Sequence, residues 1–427
     1  MLLIYTPQST TRLQYICKFI FEEILHTSYS LTLDEVNFDK YEGNKINYSH
    51  KEFTNSFQIA PHGLLFQNGI KTQQISCFKE NDFTCFFKNN NGNFSFDIFA
   101  ATFYLITRYE EYLPHEKDMY GRYAHQNSIA YKENFLNIPL VNIWLNSFSL
   151  MMQKNFPTLI FQSTTFNFQP SYDIDMAWSY KEKGFVRNTL GFIKKPSFKR
   201  LSTLLGKNDD PFDCYDFLDE LHAQYNLKPI YFFLVAKENG QYDKNILPDN
   251  EAMKMLIKTH AEKYDIGIHP SWKSYDAIEI LKEEKEILEN ISSKEIKFSR
   301  QHYIKFNLPE GYKRLIDVEI INEYSMGYGT INGFRASVAS SYFWYDLVNE
   351  RITKLRIHPF CFMDANCYYE QKLSVDESFE ELMHYYEINK KVNGQMITIF
   401  HNSFLGTSKE FEGWPNLYKK FISQLRQ

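Results

Sequence analysis

The stretch SYDIDMAW at 171–178 places two carboxylates, Asp173 and Asp175, two residues apart in an otherwise apolar segment. In a β-strand, residues i and i+2 lie on the same face, so both carboxylates are expected to point the same way. Two like charges this close are unfavourable unless a proton or a cation lies between them. The spacing therefore predicts a site that holds a metal ion or another positive group.

Other residues capable of acid–base or metal chemistry follow segments with strand character. His269 follows YDIGI, Arg300 and His302 follow EIKFS, and His401 follows QMITIF. In α/β barrels the carboxyl ends of the strands meet at one edge, where the loops form the active site. We therefore expect these side chains to share one site.

Aspartate and neutral histidine form a ligand set suited to zinc and other divalent ions. A divalent ion, with zinc as the first candidate, between Asp175 and His269 would relieve the repulsion between the carboxylates. Asp173 would then be free as a base beside an activated water, which is the equipment for hydrolysing an acyl group. His401 is the candidate acid for the leaving amine.

Strands and helices alternate from residue 166 onward. Strand character is found in seven segments: 166–176, 228–236, 264–272, 295–303, 323–328, 354–360 and 395–404. Helices are predicted after Asp210, as an N-cap before Pro211, over 274–290, and from about Asp376. The alternation predicts an α/β fold with a mostly parallel sheet. Seven strands fall short of the eight of a regular barrel, so we expect a deformed (β/α) barrel.

A chain of 427 residues with 44% hydrophobic and 23% charged residues is typical of a soluble globular protein of two domains. We predict an α+β accessory domain at 1–165, with a helix at 97–112, and the barrel at 166–427. The net charge of −5 argues against a nucleic-acid partner. Six scattered cysteines, no secretory N-terminal pattern and no apolar run of membrane-spanning length predict a cytoplasmic location.

Segment 181–208 interrupts the alternation. It holds eight Lys or Arg residues, Lys195 among them, against one Glu, interleaved with apolar residues. One interpretation is a crossover that covers the sheet with a solvated basic face. The other is peripheral contact with anionic lipid or with a phosphate-bearing substrate.

The motifs resemble those of the polysaccharide deacetylases of carbohydrate esterase family 4, which have a deformed barrel of about seven βα units and a divalent metal. SYDID is similar to the first motif of that family, IGIHPSW to the second, SRQHYIKF to an arginine motif and ITIFHNSF to the last. The resemblance implies that Asp173 is the base, steadied by Arg300. It also implies that Asp175 and His269 bind the metal and that His401 is the acid.

Two positions depart from the family pattern. Lys273 stands where the second histidine is expected, four residues after the first, and His302 is the candidate replacement as third ligand. Arg335, in GFRAS, resembles a second arginine motif and competes with Arg300 for the role of orienting the base. Aromatic residues beside the motifs are candidates for stacking on a sugar: Trp178, Trp272 and Tyr303.

The N-terminal half, with FDIFAATFYLITRYEEYL and DMYGRYA, resembles the companion domain of a Bacteroidetes-type subgroup of these proteins. That resemblance implies no role for the domain. Its charged residues are expected to serve in packing or between the domains: Asp97, Glu110, Glu111 and Arg122.

The resemblance implies a metal-dependent deacetylase that hydrolyses the N-acetyl group of a sugar in a surface polysaccharide or its lipid-linked or nucleotide-linked precursor. A barrel glycosidase also uses paired carboxylates, but chitinase-like barrels need a glutamate where this chain has Ala177. The third hypothesis is a non-catalytic glycan-binding protein on a degenerate deacetylase fold. Lys273 distinguishes this third hypothesis from the others. If the ammonium group of Lys273 filled the place of His302, it would replace the metal.

Overall fold

The computed structural model describes residues 1–80, 82–162, 164–194 and 196–425. In the first part of the chain the described strands are β1 (Leu2–Tyr5), β2 (Tyr29–Thr32), β3 (Lys45–Asn47), β4 (Phe57–Gln58), β5 (Phe78–Glu80) and β6 (Phe83–Cys85). The helices there are α1 (Thr11–Cys17), α2 (Glu35–Lys40), α3 (Ile98–Ile106), α4 (Ile129–Lys132) and α5 (Leu140–Asn155). Strands β2-β1-β3-β4 form a parallel sheet in that order, and β5 and β6 pair antiparallel.

The second part of the chain alternates strands with helices, as the sequence predicts. Its strands are β7 (Asn167–Ile174), β8 (Ile230–Phe233), β9 (Asp265–Ile268), β10 (Phe298–Ser299), β11 (Asn322–Glu323), β12 (Tyr342–Asp346), β13 (Arg351–Ile357), β14 (Phe362–Met363) and β15 (Gln395–His401). Its helices are α6 (Gly184–Lys194), α7 (Phe198–Leu204), α8 (Tyr215–Tyr225), α9 (Glu251–Lys263), α10 (Ile278–Ser292), α11 (Glu310–Asp317), α12 (Val375–Lys391), α13 (Asn402–Leu405) and α14 (Trp414–Gln424).

These strands form one nine-stranded sheet in the order β12-β13-β11-β10-β9-β8-β7-β15-β14. Every neighbouring pair is parallel except the β12–β13 hairpin. The predicted α/β class and parallel sheet are therefore confirmed. The predicted strand count is wrong, because the sequence reasoning passed over β12 and β14.

The two ends of the sheet curve towards each other. Only residues 358–361 separate β13 from β14, and such a link spans at most about 17 Å. The amide of Phe360 donates to the carbonyl of Met326, beyond β11 (3.2 Å), and the amide of Cys361 donates to the carbonyl of Ile397 in β15 (3.3 Å). Strand pairing in the described residues nevertheless closes no barrel, since the ladder ends at β12 and β14.

Local sequence explains most of the helix boundaries. Asp97 caps α3 by accepting the amide of Ala100 at 3.0 Å, as its place before an apolar run predicts. Asp210 is not the predicted N-cap, because α8 begins five residues later at Tyr215. Its carboxylate instead accepts three amides from the loop that follows β7, which satisfies the buried charge more fully than a helix cap would.

The two halves of the chain share one apolar core. Ion pairs of two buried arginines also join them: Arg12 Nε donates to the partly buried Glu350 at 2.9 Å, and Arg335 Nη2 donates to the buried Glu111 at 2.6 Å. Glu111 thus lies at the contact between the halves. The domain division at 165/166 remains a prediction.

The six cysteines, all within the described residues, are free. Among the described residues we find no helix whose length and apolar character would let it cross a bilayer.

Candidate active site

The polar residues singled out in the sequence lie at the carboxyl ends of neighbouring strands. Asp173 is in β7 and Asp175 lies just beyond it, while His269 follows β9. Arg300 follows β10, and His401 is the last residue of β15, paired in register with Asp173. Because these strands are parallel, their ends deliver all of these side chains to one edge of the sheet.

Asp175, His269 and His302 form a group that could hold a metal ion. His269 Nε2 lies 3.1 Å from Asp175 Oδ1, and His302 Nε2 lies 3.4 Å from Asp175 Oδ2. One ligand atom from each of the three residues lies within 4.8 Å of the others. The structure therefore brings His302 to the place of the third ligand. The family pattern has a second histidine for this purpose, where the present sequence has Lys273.

Hydrogen bonds on the far side of each imidazole fix which nitrogen faces Asp175. His269 Nδ1 lies 2.6 Å from the carbonyl of Arg300, and His302 Nδ1 lies 2.9 Å from Asp243 Oδ1. A carbonyl only accepts, so His269 Nδ1 carries the proton and Nε2 presents its lone pair to Asp175. Asp175 Oδ1 is buried yet has no hydrogen-bond donor. An orphaned oxygen facing imidazole nitrogens fits a divalent cation.

In the absence of a metal ion, a proton on His302 stabilises its contact with Asp175. Burial alone would lower the pKa of His302, but the charge of Asp175 and the hydrogen bonds that His302 donates to Asp175 and Asp243 raise it to about 9. Burial alone would raise the pKa of Asp175, but the charges of His302 and His401 hold it well below its usual range. A metal ion must therefore displace a proton from His302.

Asp173 is held by Arg300. Arg300 Nη1 donates to Asp173 Oδ1 at 2.8 Å, Nη2 donates to Ser171 Oγ at 2.8 Å, and Nε donates to the carbonyl of Tyr324 at 3.2 Å. The guanidinium is fully buried and lies over the ring of Phe232. Asp173 Oδ2 takes no part in this ion pair and lies 3.8 Å from His269 Nε2, on the wall of the cavity.

Arg335 does not contact Asp173. Its Nε and Nη2 donate to Glu111 at 2.8 and 2.6 Å, and its Nη1 donates to the carbonyl of Gly327 at 3.0 Å. All three guanidinium nitrogens are thus engaged at the contact between the two halves. The hypothesis that Arg335 orients the base is wrong.

His401 is held by Asp364. Its backbone amide and its Nδ1 donate to the two oxygens of that carboxylate, at 2.7 and 2.6 Å. Its Nε2 points into the site and lies 3.5 Å from Asp175 Oδ2. Burial would lower the pKa of His401, but the charges of Asp364 and Asp175 raise it to about 10.

Lys273 lies outside the site. Its ammonium group pairs with Glu238 at 3.1 Å, and more than half of its side chain is exposed. The feature that would have favoured a non-catalytic glycan-binding protein is therefore absent from the space between Asp175 and His269.

A cavity of about 520 Å³ opens over these residues. Tyr303 lines it and is 36% exposed. Trp272 stands behind the wall, stacked at 3.9 Å on Tyr242, which itself lines the cavity. Trp178 is buried against Tyr215 and is not among the lining residues, so its predicted role in stacking on a sugar is wrong.

The N-terminal half contributes to the cavity through Tyr120 and Arg122. Tyr120 packs against Tyr303, with ring centroids 5.4 Å apart. Arg122 donates to the carbonyl of Tyr303, and Asp118 holds it from behind at 2.6 Å. Tyr303 and Ile304 both have positive φ, 59° and 52°, which non-glycine residues rarely adopt. Arg122 therefore braces a strained turn directly after His302.

Sequence reasoning missed the two carboxylates that orient the histidines, Asp243 and Asp364. Asp364 follows an apolar run, FCFM, that could have been recognised as a strand end. Asp243 lies in the loop between β8 and α9, where no pattern marks it.

Comparisons with known proteins give one family match and several structural likenesses. Residues 2–157 match a family described as a family of unknown function, DUF7033. No curated protein matches the chain.

Solved structures resemble part of the chain. A Mycobacterium smegmatis protein assigned as a polysaccharide deacetylase is 12% identical, with a TM-score of 0.41, over 62% of this chain and 85% of that one. The polysaccharide deacetylase Bc1974 from Bacillus cereus is 11% identical, with a TM-score of 0.33, over 61% and 89%. Puue allantoinase is 10% identical, with a TM-score of 0.39, over 62% and 84%. Likenesses at this level assign no chemistry, so the functional argument depends on the side chains of the site.

Proposed function

We propose that this chain is a metal-dependent hydrolase that removes the N-acetyl group from a sugar of a surface polysaccharide or its precursor. One observation carries the proposal: a single cavity holds the three candidate ligands between an arginine-held carboxylate and an aspartate-held imidazole. The four motifs that resemble carbohydrate esterase family 4 support it, and the curled sheet is consistent with the deformed barrel of that family.

The candidate ligands are Asp175, His269 and His302, and zinc is the first candidate ion. A divalent cation bound there supplies a Lewis acid that polarises the acyl carbonyl and lowers the pKa of a water. Asp173 is placed to accept a proton from the attacking water through Oδ2, because Arg300 occupies Oδ1.

His401 serves as the acid for the leaving amine. Burial lowers the pKa of His401, but the charge of Asp364, which is not a candidate ligand, raises it and favours the protonated imidazole. Asp364 fixes the ring through Nδ1, so that Nε2 delivers its proton into the cavity. A base and an acid on two sides of the acyl group are what the hydrolysis of an amide needs, since the amine leaves only when protonated.

The wall of the cavity suits a sugar ring. Tyr303 and Tyr242 present aromatic surface beside the polar site, as pyranose recognition requires. A lipid-linked or nucleotide-linked N-acetyl sugar is the substrate class we propose. The cytoplasmic location remains a prediction.

An assay of N-acetyl release tests this function. The metal-loaded protein is offered N-acetylglucosamine oligomers and a nucleotide-linked N-acetyl sugar, and free acetate and new amine are measured. Asp173→Asn should lower turnover by about 10²- to 10⁴-fold while keeping the metal, whereas Lys273→Ala should leave turnover unchanged. Metal-loaded protein that releases no acetate from either substrate, or an Asp173→Asn variant as active as wild type, would contradict the proposal.

A further inference from the structure

Helices α6 and α7 carry large apolar side chains on the outside of the molecule. Phe185, Ile193 and Phe198 are 85%, 70% and 93% exposed. Five more apolar side chains of the same two-helix segment are exposed: Leu190, Phe192, Leu201, Leu204 and Leu205. A soluble surface rarely gathers so many large apolar groups in one patch, and such patches mark contact with a membrane or a partner.

The orientation of α6 is the reverse of that of an ordinary surface helix. At 100° per residue, Phe185, Ile193 and Leu190 fall on one face, and this face is exposed. The opposite side faces α7 and the loop before α6: Asn188 Nδ2 donates to the carbonyl of Tyr180 at 2.9 Å, and Gly191 lies against the guanidinium of Arg200. The helix packs with its polar side and presents its apolar side outward.

The positive charge around this patch indicates which kind of partner binds it. Segment 181–208 holds eight Lys or Arg residues and one acid, Glu182. Lys183, Arg187 and Arg200 contact the protein, whereas Lys194 and Lys207 are exposed. Lys195 lies outside the described residues. Two copies of this chain meeting through the patch would bring these positive charges together, which opposes self-association. A bilayer containing anionic lipid satisfies both features, since basic residues bind its headgroups and apolar side chains enter the acyl boundary.

We propose that segment 181–208 is a docking surface for membranes that contain anionic lipid. The underside of the segment also touches the rim of the cavity. Lys183 Nζ donates to the sulfur of Met176 at 2.8 Å, and Arg187 Nη2 donates to the carbonyl of Lys244 at 3.3 Å. Met176 and Lys244 line the cavity, so docking brings its mouth to the bilayer surface. If the proposed function holds, a lipid-anchored sugar reaches the site without leaving the membrane.

Vesicle flotation of the full chain tests the proposal without any enzymatic readout. Vesicles of phosphatidylcholine, alone or mixed with phosphatidylglycerol, are the probes. Wild type should float with the mixed vesicles only, and added salt should weaken that binding. The double variant Phe185→Ser/Phe198→Ser should weaken binding at least tenfold, as should Lys194→Glu/Lys207→Glu.

A control variant changes a different surface of the molecule. Leu150→Ser/Ile160→Ser removes two exposed apolar side chains from another surface and should leave flotation unchanged. Wild type that floats with neither vesicle, or both double variants binding like wild type, overturns the proposal. Self-association of wild type that is lost in Phe185→Ser/Phe198→Ser, with no flotation, overturns it in favour of a second copy. Flotation is measured with and without metal and needs no enzymatic activity. A failure of membrane binding is therefore distinguishable from a failure of the proposed hydrolase function.

Discussion

A proton and a metal ion compete for His302 Nε2. The charges of Asp175 and Asp243 raise the pKa of His302 to about 9 against the opposing effect of burial, so the metal-free imidazole is protonated at neutral pH. A ligand must offer a lone pair, so metal binding releases this proton. The affinity of the site for metal is thereby coupled to pH.

We expect the metal association constant to rise about tenfold per pH unit below about pH 9, because one proton leaves for each ion bound. Above that pH the imidazole is already neutral and the slope should flatten. Titration calorimetry with zinc, in buffers of different ionisation enthalpy, measures both the affinity and the proton released. An affinity that is independent of pH between 6 and 9, with no proton release, would contradict the competition between a proton and a metal ion for His302.

Residue-scale prediction from sequence succeeded where a side chain follows a strand. Asp173 is the last residue but one of β7, Asp175 and His269 directly follow strands, and His401 ends β15; the structure brings all four together. It failed where the position depends on tertiary contacts. Arg335 shares its residue type with Arg300 but pairs with a carboxylate from the other half of the chain, which no local pattern reveals.

At the scale of elements, strand β9 depends on a glycine between two bulky neighbours. A Cβ added to Gly267 would lie 2.6 Å from the ring of Phe232 in β8 and 2.9 Å from Cβ of Phe298 in β10. Those contacts are shorter than real Cβ atoms tolerate. Gly267 lets three strands approach closely, two residues before His269.

Gly267→Ala should lower the free energy of unfolding by about 1–3 kcal/mol, the usual cost of overpacking. It should also weaken metal binding, because β9 must shift and carries His269 with it. Denaturant unfolding and zinc titration measure the two effects. Gly240→Ala is the matched control, since a Cβ there meets nothing within 4 Å. Equal stability of the two variants would contradict this account of β9.

A described strand lies in each of the seven segments predicted from sequence. β12 and β14 were missed for different reasons. β14 begins two residues after the predicted segment 354–360 ends, so the sequence does not separate it from that strand. β12, YFWYD, is one half of a hairpin whose partner ladder contains a register shift, so its pairing is not evident from alternation.

At the scale of the whole molecule, buried charges fasten the two halves together. Glu111 accepts from Arg335 at 2.6 and 2.8 Å and from Arg108 at 2.7 Å. Burial would raise the pKa of Glu111, but the charges of Arg335 and Arg108 lower it to about 2. A carboxyl group whose pKa is lower in the folded than in the unfolded state stabilises the protein at pH values above its unfolded-state pKa. This stability is lost as the pH falls towards 2.

Glu111→Gln should destabilise the protein by about 3–5 kcal/mol near neutral pH, because the buried guanidinium of Arg335 loses its counter-charge and that of Arg108 keeps only Glu110. The variant should also lose less stability than wild type as pH falls below about 4.5. Denaturant unfolding at a series of pH values measures both effects. Glu283→Gln removes a half-exposed partner of Lys237 and should cost no more than about 1 kcal/mol. A Glu111→Gln variant no less stable than this control would contradict a fastening role.

The metal content of protein purified without chelator tests the central claim most directly. Wild type and Lys273→Ala should carry near-stoichiometric divalent metal, and Asp175→Ala, His269→Ala and His302→Ala should each lose it while remaining folded. Folded wild type that takes up no metal, even after zinc, cobalt or nickel is added, would contradict the account of this site as a metal centre.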